Sequence, residues 1–318
     1  MKKIYITRKI PEERIQPFSE KYAIEMWPHE HQPIDQDTLN RKIAEADGLL
    51  TLLTDPVNEE TLSSASNLKV IANLAVGFDN IDITAAKKRN IIVTNTPNVL
   101  TETTADLTFA LLLSTARRIV EAQKFVEEGK WENWSPYLLA GSDIYQKTIG
   151  IVGMGRIGEA VAKRAAGFGM KILYHNRSRK ERAEKQLGVR YVEFDELLKT
   201  SDFVVCLVPF TPKTKRMFGA KAFHMMKQSA IFINVSRGQN VDEHALYHAL
   251  VNGEIKGCGL DVFEQEPIKK DHPLLQLDQV VCLPHIGSAS IATRTTMIDL
   301  CLENIDFVLS GLSPKTPV

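Results

Sequence analysis

The chain has 318 residues, long for one domain and ample for two. With 44% hydrophobic and 25% charged residues it falls among ordinary globular chains. Lys+Arg and Asp+Glu each number 39, so no basic excess recommends it as a nucleic-acid binder.

The N-terminal stretch MKKIYITRKIPEER lacks the apolar run of a secretory leader. No apolar run approaches the roughly 18 residues of a spanning helix, so no membrane association is expected. The four cysteines, Cys206, Cys258, Cys282 and Cys301, form no CxxC pair and are too few for a disulfide framework. Buried free thiols in a reducing cytoplasm are expected, and no metal site.

In chain order, short β-branched runs recur at 4–7, 48–53, 70–76 and 91–94, then at 149–153, 171–174, 203–208, 230–235, 258–263 and 280–283. They are continuous rather than alternating, as strands buried on both faces are. Helical stretches at 156–168, 180–187 and 242–252 lie between several of them. Strand–helix alternation predicts an α/β fold with parallel sheets, and two strand series predict two of them. The break falls after Pro97, where Thr101 caps a helix expected to run to about Glu128. FALLL at 109–113 makes that helix apolar on several faces. Its surplus apolar surface suits either core packing or a connection between domains that also buries surface against a second subunit; the second is preferred, because no single face holds all those residues.

The segment TIGIVGMGRIGEAVAKRAAGFGMKILYHNR then supplies a whole strand–turn–helix–strand unit. Gly153 permits the tight turn, Gly155 lets backbone approach a pyrophosphate, and Gly158 lets helix and strand pack closely. The phosphates belong where the free amides and the helix dipole point. The second strand should end in an acid that accepts both ribose hydroxyls of NAD, but the chain reads YHNRSRK instead. Arg177 and Arg179 reverse the sign, and guanidinium groups make bidentate bonds to phosphate. NADPH is therefore the expected cofactor, with NADH possible; a solvated basic turn is the alternative.

Three later segments, INVSRGQNVDEHAL, GLDVFEQEP and LPHIGSAS, are apolar strands ending in polar or charged residues. Ligands of doubly wound sheets bind beyond the carboxyl ends of strands, so Arg237, the acids of 261–266 and His285 are expected to converge. Glu264 and Glu266 both stand as candidate partners of His285. Cys282, three residues before His285, reads as buried core rather than as a nucleophile.

Together with LAVGFDNID and NTPNVLTETTADLTFALLL, these motifs resemble the D-isomer-specific 2-hydroxyacid dehydrogenase family, glyoxylate/hydroxypyruvate reductases most of all, over essentially the whole length. The resemblance implies two Rossmann-like, doubly wound parallel-sheet domains with a cleft between them. A substrate domain would comprise 1–98 and 287–318, and a dinucleotide domain 99–286. It implies a catalytic set of Arg237, Glu266 and His285, with the amides of Val76 and Gly77 joining Arg237 and His285 on the substrate. It implies cofactor contacts at Thr104, Gly153, Gly155, Arg156, Ile157, Gly158, Arg177, Ser178, Arg179, Pro209, Val235, Asp261 and Gly287. Reduction of a small 2-keto acid by a homodimer is the implied activity. Formate dehydrogenases of the family carry Gln where Glu266 stands, which favours keto-acid chemistry. A cofactor-sensing, corepressor-like binding protein is the alternative class.

Overall fold

The computed structural model describes all 318 residues and divides them into two compact units, Met1–Leu100 with Ser290–Val318, and Thr101–Ala289. The first unit carries β1 (Lys3–Ile6), β2 (Ala23–Met26), β3 (Gly48–Thr51), β4 (Val70–Asn73) and β5 (Ile92–Thr94), in the order β2-β1-β3-β4-β5. Every pairing is parallel. Tyr5, Leu49, Ile71 and Val93 share one core face of this sheet. The helix Ile291–Leu309 packs against β3 and β4.

The second unit carries β6 (Thr148–Val152), β7 (Lys171–His175), β8 (Arg190–Tyr191), β9 (Phe203–Cys206), β10 (Ile231–Asn234), β11 (Gly257–Leu260) and β12 (Val280–Cys282). Their order is β12-β11-β10-β9-β6-β7-β8, again all parallel. The continuous apolar runs are explained by two cores, one on each face. Ile149, Ile151, Phe203, Val205, Ile231 and Ile233 face one, while Val152, Val204, Cys206 and Phe232 face the other. The period of two that a half-buried strand writes in hydrophobicity is written here in which core a residue enters.

Both sheets and all ten expected strands are present, so the α/β, parallel-sheet architecture stands. Two strands were not read. AIEM in β2 is an edge strand with two of its four residues exposed, and β8 is only two residues long. The helix expected from Thr101 to about Glu128 is two helices, Thr101–Ala116 and Ile119–Glu127. Arg118 breaks it with φ of 54°, in the left-handed region, and closes a bidentate pair on Glu121 at 2.7 and 2.6 Å. No Gly or Pro marks that break. The first helix is buried on several faces, whereas the second buries no residue. No helix is long and apolar enough to cross a membrane.

Phe232 lies fully buried at the centre of the second core, its ring centroid 4.8 Å from that of Phe218 and 5.5 Å from that of Phe223. Phe232→Ala should lower unfolding stability by about 3–5 kcal/mol, because a dense interior closes only partly over the cavity. Denaturant unfolding of both proteins measures it; a loss near the ~1 kcal/mol of an average substitution would mean that this face repacks freely.

Candidate active site

The strand order of the second unit reverses at β6, which neighbours both β7 and β9. The glycine loop leaves the sheet there. Gly153 holds φ of 108°, and a side chain on it would meet the Leu207 backbone at 2.7 Å. A Cβ on Gly158 would sit 2.3 Å from the Gly153 carbonyl oxygen, so helix and loop touch through backbone alone. Gly155 precedes the first turn of the helix Arg156–Gly167, with open space where its side chain would be. Arg156 and Ile157 fill that first turn, whose unpaired amides and dipole suit a diphosphate. These residues fit a dinucleotide.

Beyond β7 the basic turn is divided. Arg177 is exposed and makes no ion pair with the protein, and Ser178 is exposed beside it. Arg179 is bound side-on by Glu184, Nε and Nη2 donating at 2.8 and 2.7 Å. Glu184 also accepts from the hydroxyl of buried Tyr174 at 2.6 Å. Arg179 and Tyr174 hold the Glu184 carboxyl down at about 2, and Glu184 raises the guanidinium in turn. Arg179 therefore enters any phosphate contact with one edge already engaged.

The chemistry-bearing side chains gather where β10, β11 and β12 end. His285 follows β12 with φ of 53°, a region that side-chain-bearing residues enter at a cost. The strained turn is held by Asp261, which follows β11. One carboxylate oxygen of Asp261 accepts from the Ile286 amide at 2.7 Å and the other from the Gly287 amide at 2.8 Å. Burial pushes the Asp261 carboxyl up, against the two amides and His285, which favour its charge. Both oxygens are thus committed to backbone. Thr104 stands beside this turn: its Cγ2 lies 3.4 Å from where a Cβ on Gly287 would be.

With the turn fixed, His285 Nδ1 meets Glu266 Oε2 at 2.7 Å. The other oxygen of Glu266 accepts from the Phe263 amide at 3.0 Å. Burial raises the Glu266 carboxyl, but the His285 hydrogen bond and charge, the Phe263 amide and the Arg237 charge outweigh it and leave the group below the usual carboxylate range. A carboxylate so placed stabilises a protonated imidazole. Glu264 is engaged elsewhere, paired with Arg216 at 2.8 Å, so of the two acids only Glu266 reaches the histidine.

Arg237 follows β10 on a turn organised by Asn234. Oδ1 of Asn234 accepts from the Ser236 amide and hydroxyl at 3.1 and 2.8 Å, and its side-chain amide donates to the Arg237 carbonyl at 3.0 Å. Nη1 of Arg237 donates to the Ser236 carbonyl at 2.8 Å. At Gly238 the turn lies so close to the next loop that a Cβ would overlap the Phe263 carbonyl carbon at 1.8 Å. Val235 is buried at the end of β10, and exposed Pro209 lies on the loop after β9, where the Val208 carbonyl accepts from Asn240 at 2.9 Å. Cys282 is no nucleophile here, since burial and Glu243 push its thiol up to about 12. Val76 and Gly77 follow β4 in the first unit and are half-exposed. Sequence reading did not find the turn-holding roles of Asp261, Asn234 and Glu184. The only mark these residues leave is a polar side chain at or just past the end of an apolar run, or one turn into a helix.

Residues 109–287 match the model of the D-isomer specific 2-hydroxyacid dehydrogenase NAD-binding domain. A glyoxylate reductase from Korarchaeum cryptofilum is 50% identical over 317 residues, covering 99% of this chain and 95% of that protein. One from Thermococcus onnurineus is 48% identical over 320 residues, covering 99% and 95%. Among solved structures, a Thermus thermophilus protein superposes with a TM-score of 0.94 at 42% identity, covering 99% of both chains. An NADPH-dependent glyoxylate/hydroxypyruvate reductase from Sinorhizobium meliloti, in complex with NADP and malonate, gives 0.87 at 33% identity, covering 100% of this chain and 96% of that one. The chain belongs to the D-isomer specific 2-hydroxyacid dehydrogenase family.

Proposed function

We propose that the chain reduces a small 2-keto acid, glyoxylate or hydroxypyruvate first, to the D-2-hydroxy acid, with NADPH preferred over NADH. The 2.7 Å pair of His285 and Glu266 carries this reading, because it sets an acid–base imidazole against a carboxylate that fixes its orientation. The full-length likeness to glyoxylate reductases supports the substrate class and favours turnover over a corepressor-like role.

A nicotinamide held by this unit would supply the hydride for the carbonyl carbon. Gly153, Gly155, Arg156, Ile157 and Gly158 would hold the diphosphate, and Arg177, Ser178 and Arg179 the 2′-phosphate. Thr104, Pro209, Val235, Asp261 and Gly287 would line the rest, Asp261 through the turn it fixes. Arg237 would pair with the substrate carboxylate and polarise the carbonyl, aided by the Val76 and Gly77 amides. His285 would give the proton from Nε2 to the carbonyl oxygen as the carbon is reduced, and take it back in the oxidative direction. Glu266 would keep Nδ1 protonated and the ring in place.

A homodimer is part of the proposal. The helix Ile119–Glu127 buries no residue of its own, and Trp131, Trp134 and Tyr137 beyond it are 62, 79 and 86% exposed. Large aromatics left open in one stretch mark an interaction surface. The four free cysteines suit the cytoplasm.

Steady oxidation of NADPH by the purified protein with glyoxylate or hydroxypyruvate, and its absence with non-acid aldehydes, tests the activity. Glu266→Gln should move the alkaline limb of the reductive pH–kcat/KM profile to lower pH, because the imidazolium loses the carboxylate that stabilises it. An unmoved limb in an active, folded variant would remove Glu266 from this role. Arg177→Ala should raise KM for NADPH at least tenfold, since a charge-assisted contact is worth about 1.5–3 kcal/mol, and leave KM for NADH nearly unchanged. The effect should shrink at high salt. Equal, small changes with both cofactors would make the turn mere surface.

A further inference from the structure

Three consecutive peptide groups after β4 are each held by their carbonyl oxygen. The Ala75 carbonyl accepts from the Thr96 amide at 2.8 Å. The Val76 carbonyl accepts from the side-chain amide of Asn95 at 2.7 Å, and the Gly77 carbonyl from that of Asn73 at 2.7 Å. Asn73 and Asn95 are both buried. A trans peptide is planar, with its N–H opposite its C=O. Fixing these three carbonyls therefore turns the N–H groups of Val76, Gly77 and Phe78 the other way. None of the three donates to another group of the protein. Successive backbone amides left unpaired in this way suit an anion.

The two asparagines are themselves pinned. The Asn73 side-chain amide donates to Oδ1 of Asn80 at 3.1 Å, and the Asn80 side-chain amide donates to the backbone carbonyls of Leu52 and Asp55 at 3.0 and 3.2 Å. Asn95 is held through its backbone, which donates to the Thr316 carbonyl at 3.2 Å and accepts from the Thr316 hydroxyl at 2.6 Å. A free loop would sample orientations of these peptides and lose them on binding; this one has that ordering built in.

We propose that Asn73 and Asn95 are positioning residues that aim the Val76, Gly77 and Phe78 amides as a three-point cradle for the substrate carboxylate, Phe78 being a third donor. The inference rests on the assignment of the Val76 and Gly77 amides to that carboxylate. Neither asparagine touches substrate; each acts by holding a carbonyl back.

The test uses Asn95→Ala, the isosteric Asn95→Asp, which lacks the donor N–H, and Asn73→Ala, each checked for folding by thermal melting. KM for glyoxylate should rise on the order of tenfold in each folded variant, while KM for NADPH stays at the wild-type value. Glyoxylate KM unchanged in the folded variants, or equal rises in both Michaelis constants, would overturn the proposal. Gly77→Pro deletes one cradle N–H directly. If it folds and leaves glyoxylate KM unchanged, the carboxylate assignment itself falls. If it raises that KM while the asparagine variants do not, only the positioning role falls.

Discussion

Parallel pairing is the constraint from which the rest of this structure follows. A parallel strand cannot turn back on its neighbour by a hairpin; it needs a crossover, here mostly helical, and each strand then restarts from the same edge. In the second unit this sends the ends of β10, β11 and β12 to one side, so that Asn234, Asp261 and the His285 turn come out together although they lie far apart in sequence. The cost falls on the strands, which have helices on both faces and must be apolar throughout. Polar chemistry is thereby pushed to the strand ends.

At those ends the two units use one device. A short polar side chain at the last strand residue, or just beyond it, binds the backbone of the turn that follows its own strand or a neighbouring one and fixes where the peptides point. Asn234 does so for the Arg237 turn, Asp261 for the His285 turn, and Asn73 and Asn95 for the 75–78 loop. Buried polar groups are expensive when unpaired, so a satisfied one makes a sharp orienting element: displacement of the loop strands it without a partner. Asp261 shows the tension. Burial disfavours its charge, and the amides it grips are part of what keeps an acid tolerable there.

The strands that carry both cores were legible because double-sided burial writes an unbroken apolar run. The edge strand β2 was not, since AIEM alternates only weakly and half of it meets solvent. Nor was the break at Arg118, where an ordinary residue takes a left-handed conformation with no glycine to announce it. In the site, Arg237, Glu266 and His285 could be named from strand-end motifs and a family resemblance, and geometry then separated Glu266 from Glu264. What sequence hid was the second layer. Asp261 was legible only as an implied cofactor contact; that its carboxylate binds two amides from residues some 25 positions away was not. Arg179 stood out as a cation, but the carboxylate that engages it comes from the following helix. Such partners are chosen by loop geometry, which leaves no periodic trace in the chain.

Gly238 gives this arrangement a mechanical character. With no side chain to separate them, the peptides at 237–238 and 263–264 lie in direct backbone contact, and Gln239 adds a bond to the Glu264 carbonyl at 3.2 Å. The turn bearing Arg237 and the loop leading to Glu266 are in effect one rigid part. They cannot be retuned separately, since an outward shift of either drags the other. A substitution that reshapes one of them must therefore reshape both, whereas segments whose backbones are not in mutual contact are free of that coupling.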